Sequence, residues 1–256
     1  MDTHRLADTL ADAVRQRSPI APLTDEVDLS IEQAYDVQDL VLERLDPDGS
    51  RTAAKLGLTS RAKQEQMSVH EPIYGWYVAG SALDIGEPLD TGAWIQPRVE
   101  PEIAFLTSRR LAGRDVTSAH VLAATDAVMP ALDVLDSRYA GYKFTLPDVV
   151  ADDASAARYL LGRPVGLDGI DLATVGCVFE HNDRLVATAA GAAVLDHPAA
   201  AVAWFVRKLA ERGQQLPSGS VVLAGALTAA VPLEPGDVAR VTIDRIGTLE
   251  LPCLPR

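Results

Sequence analysis

The sequence predicts an α+β protein, and three observations lead there. Apolar residues recur at helical spacing through the first 45 residues. From about residue 77 short β-rich runs alternate with turns, and two helical stretches interrupt them. This order divides the chain into a mainly helical N-terminal part, residues 1–76, and a strand-rich body, residues 77–256. At 256 residues, with 48% hydrophobic and 23% charged positions, the chain is long enough for a substantial core under an ordinary polar surface.

Each element has a local reason. Leu6, Leu10 and Val14 stand four residues apart and mark a helix over 3–17, which Pro19, Pro22 and Thr24 then break. Ser30 followed by Gln33 is a capping box, and Ile31, Ala34, Val37, Val41 and Leu45 form one apolar helical face behind it. Asp46-Pro47-Asp48-Gly49 is a turn, because Pro sets φ and Gly accepts positive φ. Arg51–Leu58 reads as a short strand carrying Lys55. Thr59 or Ser60 then caps a short helix containing Ala62, Gln64 and Met67.

In the body, strands are expected at Trp94–Ile95, Val99–Leu106, Thr174–Glu180, Arg184–Ala190, Ser220–Leu223 and Ala239–Ile243, with a hairpin tip at His181-Asn182-Asp183. One inserted helix starts near Thr117 and covers Val121, Ala124 and Val128. The other covers Ala199–Glu211 and stops at Gly213.

The net charge of −13, with Lys and Arg scattered, argues against nucleic acid and anionic membranes as partners. The N-terminus has no apolar leader run. The apolar stretch 189–206 is interrupted by Asp196, His197 and Pro198, so no membrane span is expected. Two cysteines, Cys177 and Cys253, are too few for a disulfide framework, and Cys177 reads as a buried thiol among Val175, Val178 and Phe179. A cytoplasmic, reduced protein is the expectation.

The chemistry concentrates in Arg98-Val99-Glu100-Pro101-Glu102-Ile103. On an extended strand Glu100 and Glu102 project from one face, about 7 Å apart. Two such carboxylates repel unless a cation or a shared proton intervenes. Asp133, in the apolar run Ala131–Asp136, offers a third, and converging acidic oxygens suit Mg²⁺ or Mn²⁺. Taken alone, Glu-x-Glu on a strand is usually a solvated face, and a lysine such as Lys55 in an apolar run usually snorkels to the surface. Asp136 is expected to anchor Arg138 or cap a turn. The histidines show no ligand spacing, although His70, beside Glu71-Pro72, is a candidate to face the site.

Six segments, in order, go beyond this pair. They are Ala54-Lys55-Leu56-Gly57-Leu58-Thr59-Ser60, Met67–Gly75, Arg98–Phe105, Ala131–Tyr139, Val150-Ala151-Asp152-Asp153-Ala154-Ser155, and Leu223–Pro232 with Gly236-Asp237. Together they resemble the 2-keto-4-pentenoate hydratase / 4-oxalocrotonate decarboxylase group of the fumarylacetoacetate hydrolase superfamily, from residue 30 to the end. The resemblance implies a mixed β-roll or barrel with inserted helices and a divalent metal held by Glu100, Glu102 and Asp133. It also implies a role for Lys55 as acid/base or enolate-stabilising group, a 2-oxo acid substrate and a homo-oligomer. Ser60–Met67 and the Tyr142–Val150 segment look more like the decarboxylase branch. Ile73 stands where the hydratases tend to carry an acidic residue, and an apolar side chain cannot activate water. This sequence departs from the pattern at Asp133 (usually Glu), Asp153 (usually Asn) and Ala226 (commonly Ser).

The expected reaction is therefore metal-dependent decarboxylation of a 2-oxo-3-enedioate, as in meta-cleavage catabolism of aromatic compounds. The alternative is hydration of 2-hydroxypenta-2,4-dienoate. The departing carboxylate needs a donor, for which Arg61, Arg138 and Lys143 are candidates, with Ser60 and Asp153 as further substrate contacts. A complex with a sister hydratase or decarboxylase is a further expected partnership.

Overall fold

A computed structural model describes residues 2–66 and 69–256. Met67, expected in the third helix, lies outside the described residues.

Helix α1 spans Thr3–Gln16 and α2 spans Ile31–Leu45, the latter opened by the Ser30/Gln33 capping box. Strand β1 (Ala53–Gly57), helix α3 (Arg61–Gln66) and strands β2 (Ile73–Tyr77) and β3 (Ala82–Leu83) follow. Next come β4 (Arg98–Thr107), α4 (Ser118–Ala123), β5 (Thr125–Leu135), α5 (Leu146–Ala151) and β6 (Ala156–Leu161). The C-terminal part holds β7 (Gly176–His181), β8 (Arg184–Ala190), α6 (Pro198–Glu211), β9 (Val221–Ala226), β10 (Val231–Pro232), β11 (Val238–Ile243) and β12 (Gly247–Pro252).

The strands form two sheets. An eight-stranded mixed sheet runs β2-β1-β9-β4-β5-β6-β3, with β10 paired to the start of β4, and a four-stranded sheet runs β12-β11-β7-β8. In the large sheet β1–β9 and β3–β6 are parallel and the other pairs antiparallel. The two strands that precede residue 77, β1 and β2, are hydrogen-bonded into this sheet beside β9.

The period of two along each strand sorts the large sheet into two faces. One face carries Ala54, Leu56, Val99, Ile103, Phe105, Leu132, Val134 and Val222, all buried in the main core against the helices. The other carries Ala53, Tyr77, Ala104, Met129, Ala131, Tyr159 and Leu223, a separate buried cluster. By the same alternation and register, Lys55, Glu100, Glu102 and Asp133 belong to this second face. Small residues there let the sheet curl until Tyr77 on the edge strand β2 reaches Tyr159 on β6, ring centroids 4.6 Å apart. The helices brace that curl: Gln38 of α2, fully buried, donates through Nε2 to the carbonyls of Tyr74 and Val150, both at 2.9 Å.

Two sequence expectations need correction. Trp94–Ile95 is not a strand: the segment is a loop whose Ile95 and Gln96 amides donate to the Asp136 carboxylate at 3.1 and 2.7 Å. The helix at Thr117 ends at Ala123, and Val128 lies on β5. An eleven-residue strand paired with β4 on one side and β6 on the other gains ladder hydrogen bonds that outweigh a local helical pattern. Strands β2, β3, β5, β6, β10 and β12 and helix α5 were not anticipated. The hairpin tip is confirmed, with Asn182 and Asp183 both at positive φ between β7 and β8.

Candidate metal centre and catalytic cavity

Three carboxylates converge in the curl of the large sheet. Register places Glu100 opposite Asp133 across the β4–β5 ladder, and Glu102 follows on the same face. One oxygen from each of Glu100, Glu102 and Asp133 lies within 4.8 Å of the others, at exposures of 4%, 0% and 0%.

A β-bulge completes the seat of Glu102. Between Glu102 and Ala104 on β4, β9 advances from Ala226 to Leu223, so one extra residue stands on β9. Gly225 at that point has φ +113°, and its N–H donates to Glu102 Oε2 at 2.6 Å. A Cβ on Gly225 would lie 2.0 Å from Thr59 Oγ1, so only glycine fits. The other oxygen, Oε1, is buried and meets no hydrogen-bond donor among the described residues.

Lys55, 1% exposed on β1, enters the cluster from the side. Its Nζ lies 2.6 Å from Asp133 Oδ2 and donates to the Ala154 carbonyl at 3.2 Å. That carbonyl is aimed by an unusual backbone, with Asp153, Ala154 and Ser155 all left-handed at φ 52°, 50° and 58°. Non-glycine residues resist this conformation by about 1–2 kcal/mol each. Asp133 Oδ1 accepts the hydroxyl of fully buried Tyr77.

The electrostatics call for a cation. Burial disfavours the Lys55 ammonium, but Asp133, Glu100 and Glu102 outweigh it and hold the lysine above its ordinary pKa. Burial pushes Glu102 well above the carboxylate range, and Asp133 and Glu100 push the same way. Asp133 is likewise raised by burial, against the pull of Lys55 and the Tyr77 hydrogen bond. Glu102 and Asp133, both raised by burial, share this buried site with Glu100, and Lys55 is paired to Asp133. Together with the unserved Glu102 oxygen, this all-oxygen set fits Mg²⁺ or Mn²⁺ chemically.

Beside the cluster lies a cavity of about 300 Å³ lined by Lys55 and Glu100. Ile73, Leu58, Val149, Phe144 and Ala230 supply apolar walls, and Ser155 and Arg98 supply polar groups. Arg98 stands two residues before Glu100 on the same strand face, its guanidinium 4.0 Å over the Tyr142 ring. The Tyr142 hydroxyl donates to the Gln96 carbonyl at 3.2 Å, which fixes that ring. A larger cleft of about 660 Å³, bounded by Asp90, Pro232 and Leu254, includes none of the three carboxylates, so chemistry rather than size selects the smaller one.

The structure thus gathers Lys55, Glu100, Glu102 and Asp133, and disperses the candidate substrate contacts. Arg61 is exposed and paired with Asp196, in a separate shallow cleft with His70. Arg138 is committed to structure. Buried, it pairs with Asp152 and donates to the carbonyls of Asp136, Ala156 and Asp152. Lys143 is exposed while its neighbours Tyr142 and Phe144 line the cavity. Ser60 is half-buried just past β1, its carbonyl accepting from the Gln64 amide. Asp153 sits one residue behind the wall at Ala154 and accepts the Trp76 amide at 2.9 Å. Cys177 is buried in β7 and its thiol is pushed up to about 11 by burial, as an inert core cysteine should be.

Sequence reasoning passed over Arg98, Tyr77 and the Gly225 amide. Arg98 was within reach, because the period-two argument that aligns Glu100 with Glu102 extends one step back to it. Tyr77 comes from a strand four places away in the sheet, and no local pattern reports that contact.

Residues 50–252 match the family model for the C-terminal domain of fumarylacetoacetate (FAA) hydrolase. The chain is 45% identical over 215 residues to a 4-oxalocrotonate decarboxylase of Pseudomonas sp. (strain CF600), covering 83% of this chain and 81% of that one. It is 37% identical over 246 residues to a 2-keto-4-pentenoate hydratase of Paraburkholderia xenovorans (strain LB400), covering 95% and 91%. Among solved structures, 4-oxalocrotonate decarboxylase from Pseudomonas putida G7, complexed with magnesium and adipate, superposes with a TM-score of 0.95 at 37% identity, covering 98% of this chain and 97% of that one. With its half-barrel of mixed strands around a buried carboxylate cluster, this chain belongs to the fumarylacetoacetate hydrolase family, among its metal-dependent decarboxylase and hydratase lyases.

Proposed function

We propose that this protein is a carboxy-lyase that converts a 2-oxo-3-enedioate of the 4-oxalocrotonate type to a 2-hydroxy-2,4-dienoate and CO₂. The observation that carries this reading is the composition of the cavity beside the carboxylate cluster. The lining combines Lys55 and Glu100 with a second cation, Arg98, and apolar walls of Ile73, Leu58 and Val149. Such a lining suits a substrate with carboxylates at both ends and presents no carboxylate or histidine at Ile73 to activate water.

Glu100, Glu102 and Asp133 are the proposed metal ligands, for Mg²⁺ or Mn²⁺. When bound, such an ion acts as a Lewis acid toward the keto and carboxylate oxygens of a 2-oxo acid. The protein's own groups do the rest. Arg98, in a guanidinium geometry suited to carboxylates, receives the distal C6 carboxylate and orients it. As the C5–C6 bond breaks, its electron pair forms the C4=C5 bond and the conjugated electrons shift onto the C2 oxygen. Lys55, kept protonated by its acidic neighbours, supplies a hydrogen bond and then a proton to that oxygen. The apolar walls keep water from the diene. Asp133 and the Ala154 carbonyl hold Nζ in place throughout.

The test is direct. With 2-oxohex-3-enedioate and Mg²⁺, the protein should release CO₂ and form the dienoate. With 2-hydroxypenta-2,4-dienoate it should form no 4-hydroxy-2-oxo acid. The reverse result would establish the hydratase reading, which the similarity to the Paraburkholderia xenovorans enzyme supports. We also infer a cytoplasmic homo-oligomer. Two free buried cysteines favour a reducing compartment, and exposed Val178, Leu185 and Val186 on the four-stranded sheet favour self-association. Light scattering on the purified protein measures the oligomer, and pull-down with a co-expressed hydratase tests for a sister complex.

A further inference from the structure

We propose that Tyr77 is a positioning residue that sets the orientation of the Asp133 carboxylate, and through it the cation site and Lys55; this rests on the metal reading above. Tyr77 is 1% exposed, its ring packed against Tyr159 in the small cluster on the concave face. Its hydroxyl donates to Asp133 Oδ1, while Asp133 Oδ2 faces Lys55 Nζ at 2.6 Å. The two partners therefore take one oxygen each.

They do not constrain it equally. An aspartate carboxylate turns about a broad, roughly two-fold torsion, so a half-turn exchanges its oxygens at little cost. An ammonium on a four-carbon stem is a rotatable point charge and follows either arrangement. A phenol hydroxyl on a ring locked by packing is directional and fixed in place. With Tyr77, Lys55 and Asp133 at 1%, 1% and 0% exposure, water has no access to substitute for it. The contact also fills space. The phenol oxygen sits against Asp133 Oδ1, where a side chain longer by one methylene would place its carboxylate. Aspartate at this position and tyrosine at 77 are thus fitted to each other. The pairing spans the curl of the sheet, from edge strand β2 to β5 in the order β2-β1-β9-β4-β5.

The test is a double-mutant cycle read as Mn²⁺ affinity by electron paramagnetic resonance at one pH, with circular dichroism confirming the fold of each variant. Removing a group that orients a metal ligand weakens affinity by about 10–100-fold. Tyr77→Phe should fall in that range, and so should Asp133→Glu, whose longer side chain meets the hydroxyl. The double variant, with the oxygen removed and the methylene added, should return to within about threefold of wild type. Unchanged affinity in Tyr77→Phe would overturn the proposal, as would additive losses in the double variant or a Tyr77→Phe protein that fails to fold. Absence of Mn²⁺ binding by wild type would instead bring down the metal reading itself, an outcome distinct from each of these.

Discussion

Replacing Asp153 by asparagine should stabilise this protein, and by an amount that grows with pH. Asp153 is 6% exposed and accepts a hydrogen bond from the Trp76 amide at 2.9 Å. Burial, reinforced by the neighbouring Asp152 charge, pushes its pKa from 3.8 up to about 8, against the pull of the Trp76 amide, Arg138 and Lys55. A carboxyl raised on folding favours the protonated form in the folded state. Its burden is therefore absent below pH 3.8, grows as pH rises, and is complete above about 8. At about 1.4 kcal/mol per unit, the burden is about 2 kcal/mol at pH 5 and about 6 kcal/mol at pH 8.5. Asparagine keeps an oxygen for the Trp76 amide and carries no charge at any pH. Urea denaturation of wild type and Asp153→Asn at both pH values gives two stability differences, and titrations common to the two proteins cancel between them. The gain at pH 8.5 should exceed that at pH 5 by about 4 kcal/mol. A gain that is the same at both pH values, or a variant less stable at pH 8.5, would refute the reasoning.

Other expectations follow from the same site. Glu102→Gln removes a buried charge with one unserved oxygen, so the metal-free protein should melt at a higher temperature while its response to divalent ions is lost. In wild type, Mg²⁺ at a hundred times its Kd should add about 2.7 kcal/mol, or about 5–10 °C in Tm. An equal Mg²⁺ shift in both proteins would count against Glu102 as a ligand. Arg98→Met should raise KM for the dicarboxylate about 10–100-fold, the loss of a charge-assisted contact, and leave the fold intact; steady-state kinetics decide it. Gly225→Ala places a Cβ 2.0 Å from Thr59 Oγ1 at a φ of +113°, and should cost about 2–5 kcal/mol in urea denaturation.

What the sequence determined by itself were features carried by neighbouring residues. The capping box at Ser30 and Gln33, the apolar face from Ile31 to Leu45, the hairpin at Asn182-Asp183 and the shared face of Glu100 and Glu102 all follow from periodicity and side-chain chemistry within a few positions. The order of motifs likewise brought Lys55 and Asp133 together with the two glutamates before any coordinates. Only the tertiary structure decided how these pieces meet. Val128 became strand because Phe105 of β4 pairs with it on one side and Val165 bridges to it on the other, and Ile73–Tyr77 became a strand because β1 pairs with it. Arg138 was drawn out of the candidate substrate site by Asp152, fourteen residues on, because a buried guanidinium needs its counter-charge close by. Tyr77 was drawn in by the curl of eight strands. Local pattern records which way a side chain points along its own strand, whereas the partner it finds depends on how the sheet closes.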